Sequence, residues 1–155
     1  MIRDKLKTSA IVELPVMDPK RVLIVESDNA FALSLAGLFH GTGIQTSVSA
    51  SASEAKKEIG NRRPDLVILR AELPDLSGFT FCARLRKDKN LAGLPIILIS
   101  SESAPEALEK HGRTASAADG YLVMPIDTGA LKALSGQLLK LADPGIFDDG
   151  VEFIE

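Results

Sequence analysis

The chain has 155 residues but only one cysteine and no tryptophan. A single cysteine excludes an internal disulfide and any zinc site built from several cysteines. Eighteen basic and 21 acidic residues give a net charge of −3, which is too balanced to indicate nucleic-acid binding. No apolar run approaches the ~20 residues of a membrane span, and Glu13 and Pro15 interrupt the only run that could serve as a signal peptide. We therefore expect a cytoplasmic protein that binds neither membrane nor nucleic acid.

Motifs that bind nucleotides or carry out hydrolysis are also missing. The sequence has no Gly-x-x-x-x-Gly-Lys-Ser/Thr loop, no Gly-x-Gly-x-x-Gly after its first strand and no Gly-x-Ser-x-Gly elbow. His40 and His111 lack neighbouring ligands at metal-binding spacing, so we interpret both as surface or helix-end residues. Cys82 falls inside a predicted helix beside two phenylalanines and is interpreted as a buried, inert thiol.

Short apolar runs rich in β-branched residues alternate with helical stretches. Such runs are typical of central strands in a parallel sheet that is covered on both faces. The predicted strands are residues 22–25, 44–48, 66–69, 94–99 and 121–123. The helices between them have candidate N-terminal caps at Asp28, Ser51, Ser77, Ser103 and Asp127. Five β–α alternations predict a doubly wound α/β fold with a five-stranded parallel sheet and three layers.

The same alternation divides the chain into three parts. Residues 20–142 are predicted to form the domain, residues 1–19 an N-terminal extension and residues 143–155 an acidic C-terminal tail or linker.

In doubly wound sheets, ligands bind beyond the carboxyl ends of the strands. Candidate site residues therefore follow each apolar run, at residues 26–28, 70–72, 100–102 and 124–126.

Five motifs occur in an order that resembles one known family. They are Glu-Ser-Asp after the first strand, Pro-Asp-Leu-Val-Ile-Leu in the third, Leu-Pro-Asp-Leu-Ser-Gly after it, Pro-Ile-Ile-Leu-Ile-Ser in the fourth and Asp-Gly-Tyr-Leu-Val-Met-Pro-Ile-Asp around the fifth. Over residues 20–141 the chain resembles the CheY-like receiver domains of two-component response regulators. The resemblance implies the strand order 2-1-3-4-5 and a pocket in which an aspartate accepts a phosphoryl group beside Mg²⁺.

Several positions depart from the family pattern. The resemblance places Arg70 at the phosphoacceptor, Glu26 and Ser27 at the acid pair and Met124 at the lysine; Asp28 adjoins the pair. Ser100 and Tyr121 match the hydroxyl and the aromatic that respond to phosphate. A guanidinium has no carboxylate oxygen to phosphorylate, and Mg²⁺ requires several hard oxygen ligands. We therefore interpret the chain as a non-catalytic pseudo-receiver without metal or cofactor, similar to the N-terminal pseudo-receivers of bacterial motility regulators of the FrzS and AglZ type.

The resemblance also implies how such a domain works. Family members bind partners through the face formed by helix 4, strand 5 and helix 5, so we expect a protein partner or a second copy of the chain there. The residues predicted for that face are Glu106, Glu109, Lys110, Tyr121, Lys132 and Lys140. Because Glu26 and Arg70 follow strands that are expected to be neighbours in the sheet, we further expect these two residues to pair, with Asp28 and Glu72 as substitutes if the arginine turns outward. Met124 is expected to lie along the arginine. The Met124–Pro125 bond is expected to be cis, and the Tyr121 hydroxyl to point toward solvent or a surface partner.

The sequence leaves two other functions open. The first is a phosphorelay receiver that is phosphorylated at another acid, such as Asp28 or Asp75. The second is a flavodoxin-like cofactor binder, which is disfavoured because the first loop is acidic and lacks glycine.

Overall fold

Strands and helices alternate five times in the part of the chain that the structure describes. This part comprises residues 18–101 and 105–141 of a computed structural model. The elements are β1 (Arg21–Val25), α1 (Asn29–Gly37), β2 (Gln45–Ser49), α2 (Ala52–Asn61), β3 (Leu66–Arg70), α3 (Gly78–Lys87), β4 (Ile96–Ser100), α4 (Pro105–Gly112), β5 (Gly120–Val123) and α5 (Thr128–Leu138). None of these helices is long and apolar enough to cross a membrane.

The five strands form one parallel sheet in the order β2-β1-β3-β4-β5. Side chains on successive residues of a strand point to opposite faces. Leu23, Val67 and Leu98 accordingly lie in the apolar cluster with α2 and α3. Ile24 and Ile68 lie in the cluster on the other face, with α1 and α5. The predicted three-layer doubly wound architecture is confirmed.

The strand and helix boundaries differ slightly from the prediction. β2 lies one residue later than predicted, and β4 begins at Ile96, after Pro95. The apolar spacing from Asn29 to His40 predicts a first helix over that whole stretch, but α1 ends at Gly37. Turns follow it, in which Gly41 and Gly43 have φ angles of +78° and +81°.

Side chains at four helix starts accept a backbone N–H as predicted. The caps are Asp28 (from Phe31), Ser51 (from Glu54), Ser77 (from Phe79) and Asp127 (from Ala130). Ser103 and Glu102 lie outside the described residues, as do residues 143–155 of the predicted tail.

Gly78 brings the start of α3 against the end of β3. Its N–H donates to the Ala71 carbonyl at 2.8 Å. A Cβ at this position would overlap the Arg70 carbonyl oxygen and lie 2.8 Å from the Ala71 Cα, and both neighbours are backbone atoms. The absence of a side chain therefore sets the spacing between α3 and the strand end that carries Arg70.

We expect Gly78→Ala to destabilise the domain by about 1 to 3 kcal/mol, because backbone cannot move aside as a side chain can. The measurement is urea unfolding followed by circular dichroism. Gly37→Ala is the matched control, since nothing lies within 4 Å of its added Cβ. That change should be neutral or stabilise α1 by up to about 1 kcal/mol. Equal effects of the two substitutions would contradict the steric argument.

Candidate functional site

Arg70 and Glu26 meet because their strands are neighbours in register. Val25 of β1 pairs with Leu69 of β3, so the next residue on each strand lies at the same carboxyl edge. Arg70 Nη1 donates to Glu26 Oε1 at 2.6 Å. The Glu26 side chain is only 3% exposed and the Arg70 side chain 16%. The predicted pair is confirmed, and it lies within the fold.

Glu72 completes the cluster from the loop after β3. Arg70 Nε donates to Glu72 Oε1 at 2.8 Å. The Ser101 N–H and hydroxyl donate to the same oxygen, and the Ser100 hydroxyl donates to Oε2 at 2.7 Å. The sequence suggested Glu72 only as a substitute for Glu26. In the structure Arg70 binds both carboxylates at once, because its Nε and Nη1 face in different directions.

The rest of the cluster comes from the start of α1. Glu26 Oε2 accepts the Asp28 N–H at 2.9 Å. The Phe31 ring covers the guanidinium, with the Arg70 Cζ atom 5.7 Å from its centroid, which allows a cation–π interaction. All four carboxylate oxygens of Glu26 and Glu72 thus accept hydrogen bonds. We name Glu26, Arg70, Glu72, Ser100 and Ser101 the arginine cluster.

The cluster shifts the pKa values of its members. Burial by itself would raise the pKa of Glu72. Hydrogen bonds from Arg70, Ser100 and Ser101 outweigh this effect and lower the pKa to about 2. Burial would likewise lower the pKa of Arg70, but hydrogen bonds to Glu72 and Glu26 raise it overall. The arginine and Glu72 are therefore both charged at neutral pH.

This lowered pKa predicts an acid-sensitive contribution to stability. Glu72 has an ordinary pKa of 4.5 and a folded pKa of about 2, so its contribution is present above pH 4.5 and is lost as the pH falls toward 2. We expect Glu72→Gln to reduce the fall in unfolding free energy over this interval, measured by urea unfolding at successive pH values. The control is Glu106→Gln at an exposed position, which should leave the slope unchanged. An unchanged slope in Glu72→Gln would contradict the assigned pKa.

The arginine cluster does not fit the magnesium site that the family implies. Mg²⁺ needs several free hard oxygens in a near-octahedral arrangement. Here a guanidinium lies between the two carboxylates, and each of their oxygens already accepts a hydrogen bond. In residues 18–101 and 105–141, no three His, Cys, Asp or Glu side chains are grouped so that they could hold a metal ion.

The remaining predicted pocket residues lie at the edge of the cluster. Ser27 and Asp28 are exposed, and an Asp28 oxygen caps α1. The Met124 side chain packs against the apolar cluster with α1 and α5; its predicted contact with Arg70 stays a prediction. The Met124–Pro125 bond is cis, as the resemblance implied.

Asp75, the other candidate phosphoacceptor, has a structural role at a helix start. Its two carboxylate oxygens accept the N–H groups of Ala52 and Ser53 at 3.0 Å. These bonds lower the pKa of Asp75. The side chain thus joins the loop after β3 to the start of α2.

Tyr121 differs from its prediction, because its hydroxyl points inward. The oxygen accepts the Ala118 N–H at 2.9 Å and lies 2.6 Å from His111 Nδ1. Because the tyrosine oxygen accepts a hydrogen bond from the Ala118 N–H, its own proton can be donated to Nδ1 of a neutral His111. Burial lowers the pKa of His111, which favours that neutral form. The Phe79 ring packs edge-on against the imidazole, with 5.0 Å between centroids.

His111 is therefore more than the surface or helix-end residue that the sequence indicated. It lies in the last turn of α4 and holds the aromatic side chain of β5. Gly112 lies beside the tyrosine ring, and a Cβ there would make ordinary van der Waals contact with it at 3.4 Å. Cys82 is buried as predicted, and burial raises the pKa of its thiol to about 11.

The predicted partner face is largely solvent-exposed. Four of its charged residues are exposed, namely Glu106, Glu109, Lys110 and Lys140, whereas Lys132 is half-buried. With Tyr121 turned inward, the large apolar side chain exposed on β5 is Val123, at 38%.

Sequence comparison matches residues 22–135 to the response regulator receiver domain. The chain belongs to this receiver family. Among known proteins it is similar to adventurous-gliding motility protein Z of Myxococcus xanthus, with 47% identity over 131 residues, 84% of this chain and 9% of that protein. It also resembles the phosphate regulon transcriptional regulatory protein PhoB of Rhizobium meliloti, with 31% identity over 81% of this chain and 55% of that protein.

Solved structures agree with this membership. The receiver domain of the Francisella response regulator 1452 is 26% identical, with a TM-score of 0.71 over 80% of this chain and 99% of that chain. The protein is thus a CheY-like receiver domain of bacterial signal transduction. The chain spans only 9% and 55% of the lengths of these two relatives.

Proposed function

We propose that this receiver domain is a phosphorylation-independent protein-interaction module. The observation that carries the proposal is the arginine cluster at the carboxyl edge of β1, β3 and β4. The position at which the family phosphorylates an aspartate is Arg70, which makes charged hydrogen bonds to Glu26 and Glu72. Neither an acceptor carboxylate nor a free metal-binding oxygen remains among these residues.

Other acids are poorly suited to replace the missing phosphoacceptor. The Asp28 and Asp75 side chains are both exposed and both accept backbone N–H groups at helix starts. Phosphorylation of either would modify a carboxylate that already caps a helix, whereas the family phosphorylates an aspartate at the position that Arg70 occupies. This geometry argues against the phosphorelay alternative.

The partner in this proposal is another protein, bound at the face of α4, β5 and α5. Two observations support that face: Val123 is exposed, and His111 and Ala118 hold the Tyr121 hydroxyl inward. The 47% identity to a protein named for adventurous gliding motility supports a role in motility regulation. We also propose that the domain comprises residues 20–142, with an extension on each side.

The proposal is tested by adding a phosphoryl donor, and separately a phosphoryl analogue, to the protein. We expect acetyl phosphate with Mg²⁺ to leave the intact mass unchanged, and beryllofluoride with Mg²⁺ to leave the amide NMR spectrum and the melting temperature unchanged. A mass increase of one phosphoryl group that Asp28→Asn or Asp75→Asn removes would establish the phosphorelay alternative. A saturable shift confined to Glu26, Arg70 and Ser100 would contradict the loss of the metal pocket.

The partner face has its own matched test. Val123→Asp should abolish co-purification of partners from the source cells and leave the melting temperature unchanged. Leu33→Asp is the control, because Leu33 is 58% exposed on α1, away from the proposed face. Equal partner recovery by both variants would contradict the assignment of the face.

A further inference from the structure

A groove lies between α2 and α3, on the side of the sheet away from α1 and α5. Its volume is about 560 Å³. Its floor is apolar and is formed by Ile59, Leu76, Phe81, Leu85 and Leu91. Gly60 lies at an open side of the groove, where a Cβ would meet nothing within 4 Å. This shape accepts an extended or helical segment that carries apolar side chains.

The charged side chains at the rim of the groove that have no bonding partner in the described part of the chain are both basic. Lys56 and Arg84 are exposed at the groove and make no hydrogen bond or ion pair with residues 18–101 or 105–141. Two acids also line it and keep their negative charge, but each is turned to backbone: Asp75 accepts from the start of α2, and Asp88 accepts the Asn90 N–H. A ligand therefore meets an apolar floor between two unpaired cations.

The charge of the surrounding chain has the same sign. Residues 52–63 and 78–90, which hold α2, α3 and the turns after them, contain eight basic and three acidic residues. Residues 143–155 contain five acidic residues and no basic one. The apolar residues of that segment alternate with its acids, at Ile146, Phe147, Val151, Phe153 and Ile154. The segment thus complements both the floor and the rim of the groove.

The length of the chain permits this contact. α5 runs back from the carboxyl edge of the sheet, so Leu141 lies at the edge where the strands begin. Gly60, in the last turn of α2, and Leu91, in the turn after α3, follow the same pattern, which brings one end of the groove to that edge. Fourteen residues follow Leu141, and an extended chain of this length spans up to ~46 Å. Crossing from one helix layer to the other requires only about 20 Å.

From the groove and the sequence of the segment, we propose that residues 143–155 bind in the α2–α3 groove of their own chain. Their acids pair with Lys56 and Arg84, and their aromatic and aliphatic side chains cover the apolar floor. The groove is distinct from the arginine cluster and from the face of α4, β5 and α5, so this contact can occur whether or not either of those functions as proposed.

The test is paramagnetic relaxation enhancement on the full 155-residue chain. A nitroxide is attached at Gly150→Cys, which preserves all five acids of the segment. Cys82 is buried with a thiol pKa of about 11 and reacts slowly at neutral pH. We expect the amide signals of Ile59 and Leu85 to lose most of their intensity, and those of Lys110 and Lys132 to keep theirs.

Charge reversal supplies the matched comparison. The double variant K56E/R84E should restore the groove signals, whereas K87E/K89E, with the same change in net charge at exposed positions outside the groove lining, should not. All four side chains are exposed, and a melting curve confirms that each variant is folded.

Three results would overturn the proposal. The first is broadening that is absent or spread evenly over the domain, and the second is broadening that K56E/R84E leaves unchanged. The third is broadening that appears when spin-labelled chains without isotope are mixed with isotope-labelled chains without a nitroxide, because the occupant would then be a second copy. Groove signals that instead shift with a single-stranded oligonucleotide, without broadening from the nitroxide, would assign the groove to nucleic acid.

Discussion

Arg70→Asp is expected to destabilise the domain by about 3 to 5 kcal/mol, the range found when one partner of a buried ion pair is removed. The substitution replaces the cation that binds Glu26 and Glu72 with a third carboxylate. Glu26 is 3% exposed and cannot turn to solvent without opening the start of α1. Urea unfolding at pH 7 gives the free energy directly.

The pH dependence separates charge repulsion from loss of packing. As the pH falls below about 4.3, carboxylates become protonated, so the difference between Arg70→Asp and the unmodified protein should narrow. Arg63→Asp makes the same chemical change at an exposed position and should stay within about 0.5 kcal/mol of the unmodified protein. A variant Arg70→Asp as stable as Arg63→Asp would show that the arginine cluster contributes nothing.

The same variant addresses phosphorylation. Restoring an aspartate at position 70 should not restore phosphoryl transfer, because Ser27 and Met124 still stand where the family has an acid and a lysine. Mg²⁺-dependent phosphorylation of Arg70→Asp by acetyl phosphate would mean that the lost chemistry resides in one residue alone.

Arg86→Ala is expected to destabilise the domain by a similar amount, about 3 to 5 kcal/mol. Its guanidinium donates to the carbonyls of Ala92, Leu94 and Ala117 and pairs with Asp119 at 2.8 Å. The side chain is 11% exposed. Its removal leaves partly buried carbonyls without a donor and no longer holds the loops before β4 and β5. Thermal and urea unfolding measure the resulting loss of stability.

Two further substitutions serve as controls for Arg86→Ala. Lys87→Ala, at the next and exposed position of α3, should change the unfolding free energy by less than about 0.5 kcal/mol. Arg86→Lys keeps the charge but lacks the planar fork that reaches several acceptors, so it should recover only part of the loss. Full recovery by lysine would mean that the charge next to Asp119, and not the set of carbonyl contacts, stabilises these loops.

The fold could be predicted well because its signals are local. Apolar runs mark the strands, capping residues mark the helix starts, and parallel neighbours require helical crossovers. The pairing of Arg70 with Glu26 also followed from topology, since each residue comes directly after a strand and the two strands are adjacent. No side-chain detail was needed for either inference.

The parts that were missed depend on loop paths and side-chain directions. Glu72 binds Ser100 and Ser101 because the loop after β3 turns toward the end of β4, which spacing alone does not indicate. Tyr121 was expected to point outward, but the neighbouring α4 places His111 against its hydroxyl. The available signal was the position of that histidine at the end of the helix before β5. The role of Arg86 had no local signal, because three of its acceptors are backbone carbonyls.

The arginine cluster has a consequence for the motion of the domain. Arg70 joins β3 to Glu26 after β1, and Glu72 joins the same arginine to Ser100 and Ser101 at the end of β4. Loop amides that donate to these carboxylates, such as those of Asp28 and Ser101, can exchange their hydrogens only when the side-chain links open. We therefore expect the three strand ends to move together and hydrogen exchange at the Asp28 and Ser101 amides to be slow.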